Sequence, residues 1–222
     1  MDIKKLLGAI FRREILILGA MAGVFLYQST PDMIVSLKPA VSFEDMLDDK
    51  EVSPGTHVSG DVVYTLDYFA SESTYTKRSD GSRSGSRKSG NFYLVPTSTG
   101  YIAVKCRQAD VEAFNKLVDE TFEFLSTGTE PTTKVFMEGT VKPLSGQLVS
   151  YYNEYLEELG YTESEIQEMG EPLVVQYVAF GFVRGFFIAG LVLLLLLLLL
   201  IRNNYKRAVR GSGLNRVEDL PG

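Results

Sequence analysis

The sequence predicts a mixed α+β domain, a small OB-like β-barrel or curled sheet with two to three helices, flanked by two transmembrane helices. Three observations carry this reading. Residues 186–201 are sixteen consecutive uncharged, mostly large apolar residues, eight of them the leucines Leu193 to Leu200. Residues 15–27 form a second apolar run behind Lys4, Lys5, Arg12 and Arg13. Between the two runs, period-two and helical-period segments follow in the order strand, strand, strand, helix, strand, helix, strand. A three-strand meander, a helix and two further strands is the order of an OB-fold, and the additional helix reads as an insertion. An open α+β sheet with its helices on one face is the competing reading.

The apolar runs set the domain boundaries. A helix needs about 20 apolar residues to cross the hydrocarbon core. Residues 178–201 meet that length with one charge, Arg184, near an end where it can snorkel. Residues 15–34 are the weaker first span, read as an uncleaved signal anchor because small residues suited to cleavage do not follow the run. Residues 1–14 and 202–222 are basic flanks, whereas residues 30–177 hold 24 acidic and 12 basic residues. Excess Lys and Arg mark cytoplasmic flanks. The expected protein is therefore a multi-pass plasma-membrane hairpin with both termini cytoplasmic and residues 35–177 extracytoplasmic. Gly19 and Gly23 in the first span, and Gly181, Gly185 and Ala189 in the second, recur at four-residue spacing. Such stripes let helix backbones approach, within one chain or between copies.

Within residues 35–177, residues 42–49 read as a short acidic helical turn broken at Ser53-Pro54-Gly55. Residues 58–69 alternate apolar and polar as one long strand, and Gly60 falls on its apolar face. Residues 92–95 and 101–106 make a hairpin. Asp110 is placed to cap a helix whose apolar face is Val111, Phe114, Leu117, Val118 and Leu125. Residues 134–142 form a strand with Gly139 inside, and Gly60 and Gly139 would supply barrel bends. A helix over 146–159 ends at Gly160, Thr162 and Glu165 form a capping box for a short helix, and residues 172–177 are the last strand.

Chemistry-bearing constellations are few. One cysteine, Cys106, and one histidine, His57, exclude an internal disulfide, a thiolate-rich zinc site and a His-pair metal site. Adjacent carboxylates such as Glu157-Glu158 do not face each other on a helix. No cofactor-binding motif is present, and the reading is non-enzymatic. The distinctive polar stretch is 71–90, rich in Ser, Gly and Thr, expected to be mobile. It carries Lys77, Arg78, Arg83, Arg87 and Lys88 against Glu72 and Asp80. It is either an anion-binding finger for lipid headgroups, wall polyphosphate or an acidic partner, or a solvated hairpin extension, the ordinary fate of a charge run. With Tyr75 its only aromatic residue, nucleic acid is not an expected partner.

The basic N-terminus, the early span, the strand HVSGDVVYTLDYFA, the YLVP…YIAVK hairpin, the VFMEGTVKPL strand and the last span together resemble a group of membrane-anchored proteins of Gram-positive bacteria known only as a domain of unknown function. The resemblance implies no activity and no catalytic residues, and the 71–90 insert has no counterpart in it. The expectation is a two-span protein whose OB-like domain binds or assembles with a partner close to the bilayer. The bilayer is its first partner, and a protein or a second copy could dock through the spans. A small subunit of a larger membrane complex, or an envelope enzyme whose carboxylates converge only in the fold, are the rival classes.

Overall fold

The computed structural model describes residues 12–77, 79 and 81–214. Residues 35–180 form one compact unit and the helices on either side of them form another.

The central unit is α+β. Its strands are β1 (His57–Val62), β2 (Tyr68–Thr74), β3 (Arg87–Thr97), β4 (Gly100–Arg107), β5 (Val135–Pro143) and β6 (Leu173–Tyr177). They build one open sheet in the order β1-β5-β6-β4-β3-β2, antiparallel except for the parallel pair β4–β6. The flanking helix α1 is Arg13–Ser36, and the central unit holds α2 (Phe43–Leu47), α3 (Val111–Thr127), α4 (Gln147–Glu158) and α5 (Glu163–Glu168). The last helix, α6, is Phe180–Leu214.

Both short helices begin with reciprocal capping. Ser42 Oγ accepts from the Asp45 amide while the Asp45 carboxylate accepts from the Ser42 amide, and Thr162 and Glu165 repeat the arrangement. Each box satisfies two amides that a helix start leaves unpaired. Asp110 precedes α3 but makes no side-chain cap; its carboxylate takes two hydrogen bonds from the Arg107 guanidinium, 2.7 and 3.1 Å long.

Side-chain alternation splits the sheet into two apolar faces. One gathers Val58, Val62, Tyr93, Val95, Ile102, Val104, Met137, Val141 and Val175 against Phe43 and Met46 of α2 and Phe114 and Leu117 of α3. The other gathers Phe92, Leu94, Ala103 and Val174 against Tyr152 and Leu156 of α4 and Ile166 of α5. Helices therefore cover both faces, where a one-faced cover was the competing expectation. Leu125, expected on the buried side of α3, is 67% exposed, and Thr121 takes the inward position one turn earlier.

The long first strand is a second correction. The alternating run divides into β1 and β2, which are the two ends of the sheet order and do not pair with each other. Residues 63–67 join them. There Thr65 is fully buried, its amide donating to Thr121 Oγ1 at 3.2 Å and its hydroxyl to the Leu94 carbonyl at 3.1 Å. These bonds replace ladder partners, so the segment stays extended while leaving one sheet edge for the other. Gly139 serves close approach: a Cβ there would stand 2.2 Å from the Gln176 carbonyl oxygen on β6.

In the helical unit, α6 runs 35 residues, and its 180–210 portion is long and apolar enough to cross a membrane, with a stretch of mean hydropathy 2.8. Among the described residues it alone qualifies. The expected first span forms a helix of 24 residues, but its second half carries Gln28, Ser29, Thr30, Pro31 and Asp32, which dilute its apolar character. Lys4 and Lys5 of the N-terminal basic flank, and residues 215–222 of the C-terminal one, lie outside the described residues.

Candidate functional site

Strand registers define one end of the sheet. Gly90 of β3 faces Arg107 of β4, and Lys105 of β4 lies level with Gln176 of β6. The C-terminal ends of β4 and β6 and the N-terminal end of β3 therefore lie together. From this end β6 passes through two residues into Phe180, the first residue of α6. Arg107 anchors it: its guanidinium lies 4.3 Å from the Tyr177 ring centroid and donates to the Tyr177 hydroxyl at 3.2 Å. The hydrogen-bonded Asp110 carboxylate raises the Arg107 pKa further.

From the same end the β2–β3 hairpin projects beyond the sheet. Its pairing continues past Thr74↔Arg87 to a bridge between Lys77 and Arg83. The Ser84 amide donates to the Thr76 carbonyl at 2.9 Å, and the Thr76 amide to Ser84 Oγ at 2.8 Å. Arg83 lies over the Tyr75 ring, 4.5 Å from its centroid. The stretch expected to be mobile is thus a paired ribbon, for side chains and backbone of Ser and Thr close the ladder where no apolar core is available. Lys77, Arg83, Arg87 and Lys88 are exposed on it, and Arg78 and Asp80 lie outside the described residues. Glu72, the acid nearest its base, is engaged elsewhere. One carboxylate oxygen takes Lys105 Nζ and the other Ser89 Oγ, each at 2.8 Å, and the Lys105 bond leads in lowering its pKa.

His57 sits beside the segments that enter and leave this unit. Its Nδ1 is 3.1 Å from the Lys38 carbonyl, two residues past α1, and its ring meets Phe180 edge-on at 4.6 Å. Glu138 Oε1 is 3.7 Å from Nε2. His57 is 6% exposed, and across the strand pair it faces the buried Thr140. Cys106 is 1% exposed among the residues around Tyr93 and Phe114, and burial raises its thiol pKa, which suits an inert core residue.

At the opposite end of the sheet, a cleft of about 310 Å³ is lined by residues that include Glu51, Glu168 and Glu171. It opens beside the β3–β4 turn at Ser98 and Thr99 and the start of β6 at Leu173. Among the described residues no group of His, Cys, Asp and Glu is arranged to hold a metal ion.

In the helical unit, α1 and α6 pack antiparallel. A Cβ on Gly19 would meet Leu197 at 3.6 Å, and one on Gly190 would stand 2.9 Å from the Leu26 side chain and 3.3 Å from its backbone nitrogen. Phe25 and Phe186 rings lie 4.9 Å apart. Of the expected stripes, Gly19 is at the contact, while Gly23, Gly181 and Gly185 have open space where a Cβ would go, and Ala189 is half-buried beside the seam. The closest approach is Gly190, which the four-residue spacing skips. Four residues overshoot a helical turn by about 40°, so a strict four-residue stripe drifts off a packing seam that alternates three and four.

A sheet domain joined to an apolar helix of membrane-crossing length defines a class of architecture, not an activity. A family model, a domain of unknown function (DUF8577), matches residues 2–202, and the chain belongs to that family. No curated protein and no solved structure matches the chain.

Proposed function

We propose that the protein is a two-span membrane protein whose central domain, on the extracytoplasmic side, is a non-enzymatic binding or assembly module held near the bilayer surface. The single observation that carries this reading is α6, whose most apolar stretch has a mean hydropathy of 2.8 and is only 6% buried. Exposing leucines on every side costs roughly 25 cal/mol per Å2 in water and nothing in lipid. The antiparallel seam between α1 and α6 supports α1 as the second span: its inward residues Ile15, Ala22 and Ser29 are at most 5% exposed, and Leu16, Ile17, Met21 and Val24 are about half exposed. Lys and Arg flanking both helices support cytoplasmic termini.

An OB-like barrel is our reading of the sheet. Flat neighbours stand about 4.8 Å apart, so five steps from β1 to β2 need roughly 24 Å. Four chain steps lead from Val62 to Leu66, which already donates its amide to the Leu94 carbonyl, and they span no more than about 14 Å. Curling relieves the mismatch, and the parallel β4–β6 pair and the helix between β4 and β5 suit that barrel.

Thiol labelling of intact cells tests the topology, with buried Cys106 as a quiet background. Ser164→Cys should label from outside, and Asn203→Cys only after the membrane is opened. Labelling of position 203 from outside overturns the reading. One observation favours an envelope enzyme instead, the three glutamates of the cleft. Acid–base chemistry needs carboxylates whose titrations are pushed apart. Carbon NMR of labelled glutamate decides it: a cleft carboxyl titrating near neutrality supports an enzyme, and three ordinary titrations remove that alternative.

A further inference from the structure

We propose that the β2–β3 ribbon is a lipid-contact device that binds the anionic headgroups of the bilayer crossed by α6, an inference that rests on the membrane reading of α6. The first argument is place. The ribbon and the exit into Phe180 share one end of the sheet, and two residues separate β6 from α6. At about 3.3 Å per residue, residues 81–89 can reach at most roughly 30 Å beyond that end. The second is charge. Lys77, Arg83, Arg87 and Lys88 are exposed and have no carboxylate partner among the described residues, whereas Glu72 is neutralised by Lys105. Glu112, Asp119 and Glu123 of α3 are exposed acids that anionic headgroups repel, which leaves the ribbon as the cationic surface. The third is order. The Lys77–Arg83 bridge, the Thr76–Ser84 bonds and the Arg83–Tyr75 contact fix the ribbon before it meets a partner, which lowers the entropy lost on binding. Attraction of this kind fades over a Debye length of about 10 Å at 0.1 M salt.

The test uses the full chain in nanodiscs of phosphatidylcholine, with or without phosphatidylglycerol. A dye on Ser86→Cys is read against headgroup spin-labelled lipid, and a dye on Val192→Cys against acyl-chain spin-labelled lipid. We expect Val192 to be quenched in both discs. Ser86 should be quenched at least about twofold more in anionic discs at low salt, with the excess lost in high salt and in the Lys77, Arg83, Arg87 and Lys88→Ser variant. Quenched Val192 with Ser86 indifferent to lipid charge or to the four substitutions overturns the ribbon assignment and leaves the membrane reading standing. Unquenched Val192 overturns the membrane reading and the ribbon assignment with it. Protection of Ser86→Cys from labelling in whole membranes, without lipid quenching in discs, assigns the ribbon to a protein partner and overturns the proposal.

Discussion

His57 and Thr140 face each other across β1 and β5, and each keeps a buried polar atom, Nε2 and Oγ1, with no hydrogen-bond partner among the described residues. The two groups are one register pair on one face of the sheet, beside the carbonyl of Lys38 and the ring of Phe180. The Thr140 hydroxyl, buried without a partner, weakens this corner, whereas Nε2 has the Glu138 carboxylate at 3.7 Å.

A buried, unpartnered hydroxyl costs about 1–3 kcal/mol, and valine keeps the shape of threonine. Thr140→Val should therefore leave stability unchanged or raise it by about 1 kcal/mol. Urea midpoints of the full chain in detergent check this. A loss of more than about 1 kcal/mol would mean that the hydroxyl serves a partner in solution.

Gly139 and Gly81 separate two reasons for glycine. A Cβ on Gly139 would press on backbone, 2.2 Å from the Gln176 oxygen and 3.3 Å from Tyr177 Cα. Gly81 has open space but a φ of +83°. Gly139→Ala should destabilise the domain by about 2–4 kcal/mol through overpacking between β5 and β6. Gly81→Ala should cost about 1–2 kcal/mol, felt in amide exchange of the ribbon and little in global melting. Equal global losses at the two positions would contradict this division.

Elements whose cause is local were readable from the chain. Thr162 and Glu165 announce their helix because the capping box is a three-residue interaction, and the β3–β4 hairpin follows from two alternating runs around a Gly-containing turn. The split at residues 63–67 was not readable, since alternation continues through it and only Thr121 and Leu94, distant in sequence, reveal the departure. The seating of β6 between β4 and β5 is likewise set by pairing over 30 to 71 residues, which no local pattern encodes. At the candidate site, the ribbon's cations were evident from composition. Their position at the α6 end of the sheet needed the strand registers.

The seam between α1 and α6 gives the third prediction. Gly190→Val places side-chain carbon against Leu26, including its backbone nitrogen, whereas Gly185→Val points into open space. Cross-linking between cysteines at Gly19 and Leu197 should fall several-fold with Gly190→Val and be unchanged with Gly185→Val. Equal yields in both backgrounds would show that the two helices do not pack through Gly190.

The last prediction concerns acid. Glu120 on α3 clamps the chain entering β5. Its carboxylate accepts from the Thr132 and Thr133 amides at 2.7 Å each and from the Thr133 hydroxyl at 2.7 Å. The Thr133 amide and hydroxyl, then the Thr132 amide and nearby Lys116, hold its pKa at about 2, against an ordinary 4.5. A depressed pKa means that the folded state prefers the charged form. The clamp therefore contributes fully above pH 4.5 and is lost as pH falls toward about 2. Hydrogen-exchange protection at Thr132 and Thr133 should drop across that window in the parent chain. In Glu120→Gln, one of the two acceptor oxygens becomes an amide donor, so protection should be lower at neutral pH and flat through the same window. A parent whose protection at these amides is constant from pH 5 to pH 2 would remove Glu120 as the cause of their order.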